Sequence, residues 1–157
     1  MKLADLVRED AVILGFGARD RWHAIELLAA HLVATKRIRP EQRRVVHEAL
    51  VAREKVASTG MENGVALPHA QIDGLDEAAA VFAVAPKGVP FDCVDGKPAT
   101  LIALLVIPKR SIQAHIRTLA GIARLLNYEE MRRALLAAKS PREVAEIVAA
   151  EEAREFA

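Results

Sequence analysis

The chain has 157 residues, of which 52% are hydrophobic and 27% charged, and this balance excludes a disordered segment and predicts one globular domain. A formal net charge of +1, six aromatic residues and a single cysteine argue against a nucleic-acid partner, a base-stacking platform and a zinc site built from paired cysteines. No apolar run approaches the roughly 18 residues of a membrane span and no signal peptide is recognisable, so we expect a cytoplasmic protein without membrane insertion. We also expect no metal site and no cofactor.

The first part of the chain predicts two helices that follow a short strand. Asp20 is a typical N-cap residue, and Pro40 suits the first turn of a helix. In chain order, the predicted elements are a helical turn over 3–7, a strand over 11–16, a helix over 21–35 and a second helix that ends near residue 54. Apolar residues at helical spacing give the second helix an inward stripe that consists of Val45, Val46, Ala49 and Leu50.

The remainder of the chain predicts three strands followed by three helices. A short strand over 65–67 ends at Pro68, and the continuous apolar runs over 79–85 and 101–107 are typical of strands buried on both faces. Turn signals at Lys87-Gly88 and Asp95-Gly96 separate these two runs. The helices are predicted over 111–126, 128–138 and from Pro141 onwards. The sequence therefore predicts a single-domain α/β fold, a mixed β-sheet flanked by helices on both faces.

Three polar side chains interrupt this apolar pattern. Arg53 lies one turn beyond Leu50 on the predicted inward stripe, His115 lies on the apolar stripe of the helix over 111–126, and His69 follows Pro68. A buried polar group needs a partner, and an arginine near the core favours an anion. Each residue also has a plain alternative, since core histidines are commonly hydrogen-bonded packing residues and Arg53 is placed to cap the end of its helix.

If these three residues meet beside the Ser58-Thr59-Gly60 loop, they suit phosphoryl transfer. A neutral imidazole is a nucleophile near pH 7, because its unperturbed pKa is about 6.5. Arg53 would hold a tetrahedral oxyanion in a bidentate fork, and Ser58 and Thr59 would donate hydroxyl groups to the same oxygens. His115 would hydrogen-bond one of these oxygens or, if protonated, offset their charge. Because an N–P bond is labile, a phosphoryl carrier is favoured over a hydrolase.

Two stretches of the sequence resemble the signature of the fructose/mannitol-type enzyme IIA domains of the phosphotransferase system. They read REKVASTG over 53–60 and NGVALPH over 63–69. Three later segments are also similar to the family, namely 91–98, 101–108 and 115–119. The resemblance covers nearly the whole chain, and we interpret residues 1–157 as one enzyme IIA type-2 domain.

The resemblance implies that His69 is the phosphorylated residue and that Arg53 and His115 support it. It also implies a donor, a small histidine phosphocarrier of the HPr or NPr type, which an enzyme I charges from phosphoenolpyruvate. Within the family, the chain most resembles the nitrogen-regulatory enzyme IIA branch, because of its stand-alone length and its Ser-Thr-Gly loop. Members of that branch bind target proteins in a phosphorylation-dependent way and influence potassium transport and nitrogen or carbon metabolism.

Two alternatives to a regulatory carrier stay open. A sugar-specific enzyme IIA would pass the phosphoryl group from His69 to a separate enzyme IIB during sugar uptake. A protein-interaction module without phosphorylation would instead use the basic cluster over 36–44. Departures from the family pattern motivate the second alternative: Ala70-Gln71 stands where glycine and then lysine or threonine are usual, and Glu62 places a carboxylate near the expected anion.

Overall fold

The order of the elements agrees with the sequence pattern. The computed structural model describes residues 2–155. Its helices and strands are α1 (Leu3–Leu6), β1 (Val12–Ile13), α2 (Arg21–Ala34), α3 (Arg43–Val56), β2 (Val65–Ala66), β3 (His69–Ile72), β4 (Ala79–Val89), β5 (Ala99–Pro108), α4 (Ile112–Leu126), α5 (Glu129–Ala137) and α6 (Pro141–Glu155). Single 3-10 turns occur at Glu9–Ala11, Pro40–Gln42 and Lys109–Ser111.

The strands form one mixed sheet, which confirms the predicted fold class. The strand order is β1-β4-β5-β2, and β3 also pairs with β5. The long strands β4 and β5 are antiparallel, whereas β1 is parallel to β4 and both β2 and β3 are parallel to β5. β2 and β3 pair one after the other with the same edge of β5. Pro68 interrupts the pairing, which resumes at the next residue. The prediction that extended structure ends at Pro68 is therefore wrong, since pairing with β5 resumes at His69, the first residue of β3.

Alternate residues of β5 face two different helical layers. Ile102, Leu104 and Val106 belong to the core cluster that contains the buried residues of α2 and α3. Leu101 and Ala103, which alternate with Ile102 and Leu104 along the strand, belong to a second cluster that includes residues of α4, α5 and α6. Both faces of the sheet are therefore covered by helices, as predicted. This double covering accounts for the nearly unbroken apolar run of the strand.

The inward stripe of α3 differs from its prediction. Val46 and Leu50 are buried, but Val45 is 53% exposed, and the third buried position is Glu54 rather than Arg53. Residues spaced by four lie nearly in line along a helix, so the row 46–50–54 faces the sheet. In contrast, α2 begins as predicted, with the carboxylate of Asp20 accepting a hydrogen bond from the His23 backbone N–H at 2.8 Å.

Two strands differ in length from their predictions. β1 contains only two paired residues. β4 continues through the predicted turn at Lys87-Gly88, because Gly88 adopts a positive φ of 78° and the pairing with β5 shifts in register between Val84 and Val89. The other predicted turn, at Asp95-Gly96, is present. Within residues 2–155, no helix combines the length and the apolar character needed to cross a lipid bilayer.

Candidate functional site

His69 is the first residue of β3 and is partly buried. It pairs in register with Leu105 of β5, and paired residues of neighbouring strands point to the same face of a sheet. Leu105 packs in a small cluster that Leu119 of α4 also contacts. The next residue, Ala70, belongs to the core on the α3 side. The imidazole of His69 therefore lies on the face of the sheet that α4 covers.

The ring of His69 is oriented by one hydrogen bond to the main chain. Its Nδ1 atom lies 2.7 Å from the carbonyl oxygen of Leu67. A carbonyl oxygen only accepts hydrogen bonds, so Nδ1 carries the proton in this arrangement. In the neutral ring the lone pair is then on Nε2, which is the nucleophilic nitrogen.

His115 is buried in α4, as predicted, with only 5% of its surface exposed. Its Nδ1 atom has no hydrogen-bond partner within the part of the chain that the structure describes. Burial lowers the pKa of His115 below its ordinary value of 6.5, so the neutral imidazole is favoured near pH 7. His115 lies one turn before Leu119, which packs against the same sheet face as His69. The structure thus places both histidines on one side of the sheet.

Arg53 lies in the last turn of α3 and is half-buried. Its Nη1 group donates a hydrogen bond to the carbonyl oxygen of Ala57 at 2.8 Å, so it caps the end of its own helix. Through Val46 and Leu50, α3 packs on the core side of β3 that contains Ala70, opposite to His69. Arg53 therefore belongs to the helix behind the edge strand, and the prediction that it lies on the inward stripe is wrong.

The two hydroxyl groups of the Ser-Thr-Gly loop are used within the protein. Ser58 Oγ donates to the carbonyl oxygen of Phe91 at 2.6 Å, and the buried Thr59 Oγ1 donates to the carboxylate of Glu54. Because each hydroxyl has a single proton, neither is free to donate to an anion in this arrangement. Their contact with phosphate stays a prediction, and the observed role of both is to hold the loop.

Gly60 allows this loop to approach the segment around Phe91 closely. A Cβ atom at Gly60 would lie 2.7 Å from the carbonyl oxygen of Phe91 and 2.8 Å from Cys93 Sγ. Both distances are shorter than any normal contact. The glycine of the Ser-Thr-Gly loop is therefore required by packing.

The sequence reasoning missed Glu54, the most buried polar residue of this region, with 1% of its surface exposed. Its carboxylate accepts hydrogen bonds from the Thr59 backbone N–H at 2.8 Å, from the Thr59 hydroxyl and from Arg21 Nη1 at 3.2 Å. The available signal was its position four residues after Leu50, in the row that faces the sheet. Its place directly after Arg53 in the signature was a second signal.

The basic cluster over 36–44 is largely paired with carboxylates. Arg37 Nη2 contacts both carboxylate oxygens of Asp10, at 2.8 and 2.9 Å. Arg39 forms ion pairs with Glu41 and Asp76, and Arg44 pairs with Glu48. These contacts reduce the charge available to an acidic partner.

Comparison with solved structures identifies the class of fold. The chain is similar to the nitrogen regulatory protein IIA-Ntr from Neisseria meningitidis, with a TM-score of 0.85 and 28% identity over 93% of this chain and 98% of that one. A mixed sheet of this kind, flanked by helices, is thus the fold of an enzyme IIA protein.

The family itself is shown by sequence. Residues 5–151 match the family described as the phosphoenolpyruvate-dependent sugar phosphotransferase system, EIIA 2, and the chain belongs to this family. It is 30% identical over 149 residues to a nitrogen regulatory protein of Bradyrhizobium diazoefficiens, covering 95% of each chain. It is also 33% identical over 126 residues to a fructose-specific EIIA component of Haloferax volcanii, covering 80% of each. The predicted family is confirmed, and a phosphoryl-carrier role is consistent with it.

Proposed function

We propose that this protein is a cytoplasmic regulatory phosphoryl carrier. It accepts a phosphoryl group on Nε2 of His69 from a histidine phosphocarrier of the HPr or NPr type, and it binds regulatory target proteins according to its phosphorylation state. The observation that carries the proposal is the hydrogen bond between His69 Nδ1 and the carbonyl oxygen of Leu67, because it leaves the Nε2 lone pair free. Similarity to nitrogen regulatory proteins supports the regulatory role.

The transfer step conserves atoms, electrons and protons. The Nε2 lone pair of His69 attacks the phosphorus of the donor's phosphohistidine, forming an N–P bond while the donor's N–P bond breaks. The electron pair of the broken bond stays on the donor's imidazole nitrogen. If each ring keeps the proton on its other nitrogen, no proton is released, and the positive charge of the donor's phosphoimidazole ring passes to His69. The hydrogen bond to Leu67 then stabilises the charged ring.

His115 and Arg53 would act on the oxygens of the transferred group. The unpartnered Nδ1 of His115 is suited to donate a hydrogen bond to a phosphoryl oxygen, which would satisfy a buried polar atom. Arg53 has five N–H donors, and one of them suffices for its bond to Ala57. The remaining donors would contact the dianion at the edge of the sheet. Ser58 and Thr59 would contribute by fixing the loop rather than by direct contact.

The proposal is tested by intact-mass measurement after incubation with phosphoenolpyruvate, enzyme I and a phosphocarrier. We expect the wild-type protein to gain the mass of one phosphoryl group and His69→Ala to gain none. His47→Ala is a matched control, because His47 lies on α3 outside the proposed site, and it should be phosphorylated like the wild type. An unmodified wild-type protein, or a phosphorylated His69→Ala variant, would contradict the proposal.

A second candidate function is that of a carrier that passes its phosphoryl group to an enzyme IIB. Similarity to a fructose-specific EIIA component supports this candidate. The phosphorylated protein can be mixed with a purified fructose-type enzyme IIB and both masses followed with time. Rapid transfer to the enzyme IIB would favour sugar uptake. Retention of the group on His69 would favour the regulatory role.

A further inference from the structure

Glu54 is a buried carboxylate that the phosphoryl-transfer step described above does not use. One of its oxygens accepts the hydroxyl of Thr59, and the other accepts the Thr59 backbone N–H at 2.8 Å and Arg21 Nη1 at 3.2 Å. The ion pair with Arg21 compensates the buried charge, and the guanidinium of Arg21 also stacks on the ring of Trp22 at 4.5 Å. Hydrogen bonds to a buried charge are strong, so this arrangement fixes the position of Thr59.

Thr59 connects the carboxylate to the main chain just before His69. The Thr59 carbonyl oxygen accepts a hydrogen bond from the Leu67 N–H at 3.1 Å. The Leu67 carbonyl oxygen in turn accepts the hydrogen bond from His69 Nδ1 at 2.7 Å. Both polar main-chain groups of Leu67 are therefore part of one continuous chain of hydrogen bonds. It runs from Glu54 through Thr59 and Leu67 to His69.

The segment between Thr59 and Leu67 reinforces this connection. The Met61 N–H donates to the Val65 carbonyl oxygen at 2.7 Å, and Gly60 forms an antiparallel bridge with Ala66. The loop thus runs alongside β2 as a short two-stranded unit, with Thr59 opposite Leu67. The loop end of this unit is attached to α3 and α2 through the carboxylate.

The Leu67–Pro68 peptide is especially dependent on this support. Proline has no N–H, so this peptide unit cannot be held by a hydrogen bond from its own nitrogen. The orientation of the Leu67 carbonyl group is set by its neighbours, including the bond from the Leu67 N–H to Thr59. A shift of Thr59 is therefore expected to turn the carbonyl oxygen that binds His69.

We propose that Glu54 is a positioning residue for His69, acting through Thr59 and Leu67 to hold the proton on Nδ1 and the lone pair on Nε2. This inference rests on the proposed role of His69 as the phosphoryl acceptor. The relation is indirect, because the carboxylate of Glu54 contacts Thr59 and Arg21 rather than the imidazole. Loosening Thr59 should let the Nε2–H tautomer become populated, and in that tautomer Nε2 is no longer a nucleophile.

The test is the variant Glu54→Gln, which keeps the size of the side chain but replaces one acceptor oxygen by an NH2 donor. The His69 tautomer is measured from the Nδ1 and Nε2 chemical shifts of the 15N-histidine-labelled protein, and phosphoryl acceptance is measured as an initial rate. We expect the wild-type ring to be in the Nδ1–H form and the variant to show a measurable share of the Nε2–H form. The rate should fall about tenfold, which is the lower end of the loss seen when the hydrogen-bond partner that orients a metal-binding histidine is removed.

Two further variants keep the inference decidable. Thr59→Val removes only the hydroxyl bond, keeps the backbone N–H and should shift the tautomer less; it carries the test if Glu54→Gln does not fold. Glu48→Gln, at an exposed position of the same helix, should change neither the tautomer nor the rate. An unchanged tautomer in folded Glu54→Gln, or in Thr59→Val when only that variant folds, would overturn the inference. If the tautomer shifts but the wild-type protein accepts no phosphoryl group, the proposed function fails and the positioning effect stands.

Discussion

At the scale of single residues, different physical effects control the two histidines of the candidate site. A main-chain hydrogen bond fixes the proton of His69 on Nδ1, whereas burial lowers the pKa of His115. The sequence indicated both residues, because each interrupts an apolar pattern. It did not indicate the protonation of His115, since the pattern of one helix does not reveal how completely the neighbouring elements exclude water.

The burial of His115 predicts a pH dependence of stability. In the unfolded chain this imidazole takes up a proton as the pH falls through about 6.5, whereas the folded protein resists protonation until a lower pH. The contribution of His115 to the free energy of unfolding should therefore be complete above about pH 6.5 and decrease as the pH falls towards the lower folded pKa. Urea unfolding of the wild type and of His115→Gln across this range measures it. The loss at low pH should be smaller in the variant, and equal losses would contradict the prediction.

Removing the side chain of Arg53 should reduce phosphoryl acceptance much more than it reduces the stability of the fold. In Arg53→Ala the protein loses one exposed hydrogen bond to Ala57, so we expect the free energy of unfolding to fall by at most about 1 kcal/mol. The initial rate of phosphoryl acceptance should fall at least about tenfold, because the charged contact that we propose between Arg53 and the phosphoryl group would be lost. Arg44→Ala, which removes an exposed ion pair on the same helix, should leave the rate unchanged. Equal rates for Arg53→Ala and the wild type would remove Arg53 from the site.

At the scale of elements, the helices were predicted more accurately than the strand that contains the site. The cap at Asp20 and the apolar spacing define α2 well. β3 was missed because Leu67-Pro68 looks like the end of a strand, although the pairing with β5 resumes at His69. Glu54 was missed because a charged residue is rarely buried, and only its contacts with Thr59 and Arg21 make that position stable.

The close approach of the Ser-Thr-Gly loop to the segment around Phe91 predicts the effect of a methyl group. Gly60→Ala places Cβ against a main-chain oxygen that cannot move freely, so we expect the free energy of unfolding to fall by about 1–3 kcal/mol. Gly121→Ala in α4 is the matched control, since nothing lies within 4 Å of its Cβ position. Alanine is the better helix former, so this variant should gain up to about 1 kcal/mol. Denaturant titrations of both variants measure the contrast, and a Gly60→Ala variant as stable as the wild type would contradict the packing argument.

At the scale of the whole molecule, the two ends of the described chain are joined by a buried carboxylate. Glu152 of α6 accepts hydrogen bonds from the backbone N–H groups of Leu3 and Ala4, the latter at 3.1 Å. The four residues of α1 are too few for an independently stable helix. The position of α1 against α6 therefore depends on this contact as well as on the burial of Leu3 and Leu6.

Removing this carboxylate should destabilise the protein and loosen α1. Glu152→Ala leaves two backbone N–H groups without their partner, and we expect the free energy of unfolding to fall by about 1–3 kcal/mol. Hydrogen exchange of the α1 amides should increase more than that of the β5 amides. Glu146→Ala, which removes an exposed ion pair with Arg142 on the same helix, should change stability by at most about 0.5 kcal/mol. Similar losses in the two variants would show that Glu152 has no special role.

In the proposed function, the fold as a whole presents one nitrogen atom, Nε2 of His69, to a phosphoryl donor. The most direct measurement is NMR spectroscopy of the 15N-histidine-labelled protein after phosphorylation by the donor chain. We predict a phosphorus–nitrogen coupling at Nε2 of His69 and an Nδ1 of the same ring that remains protonated. A phosphoryl group on Nδ1 of His69, or on any of the other four histidines, would contradict the account.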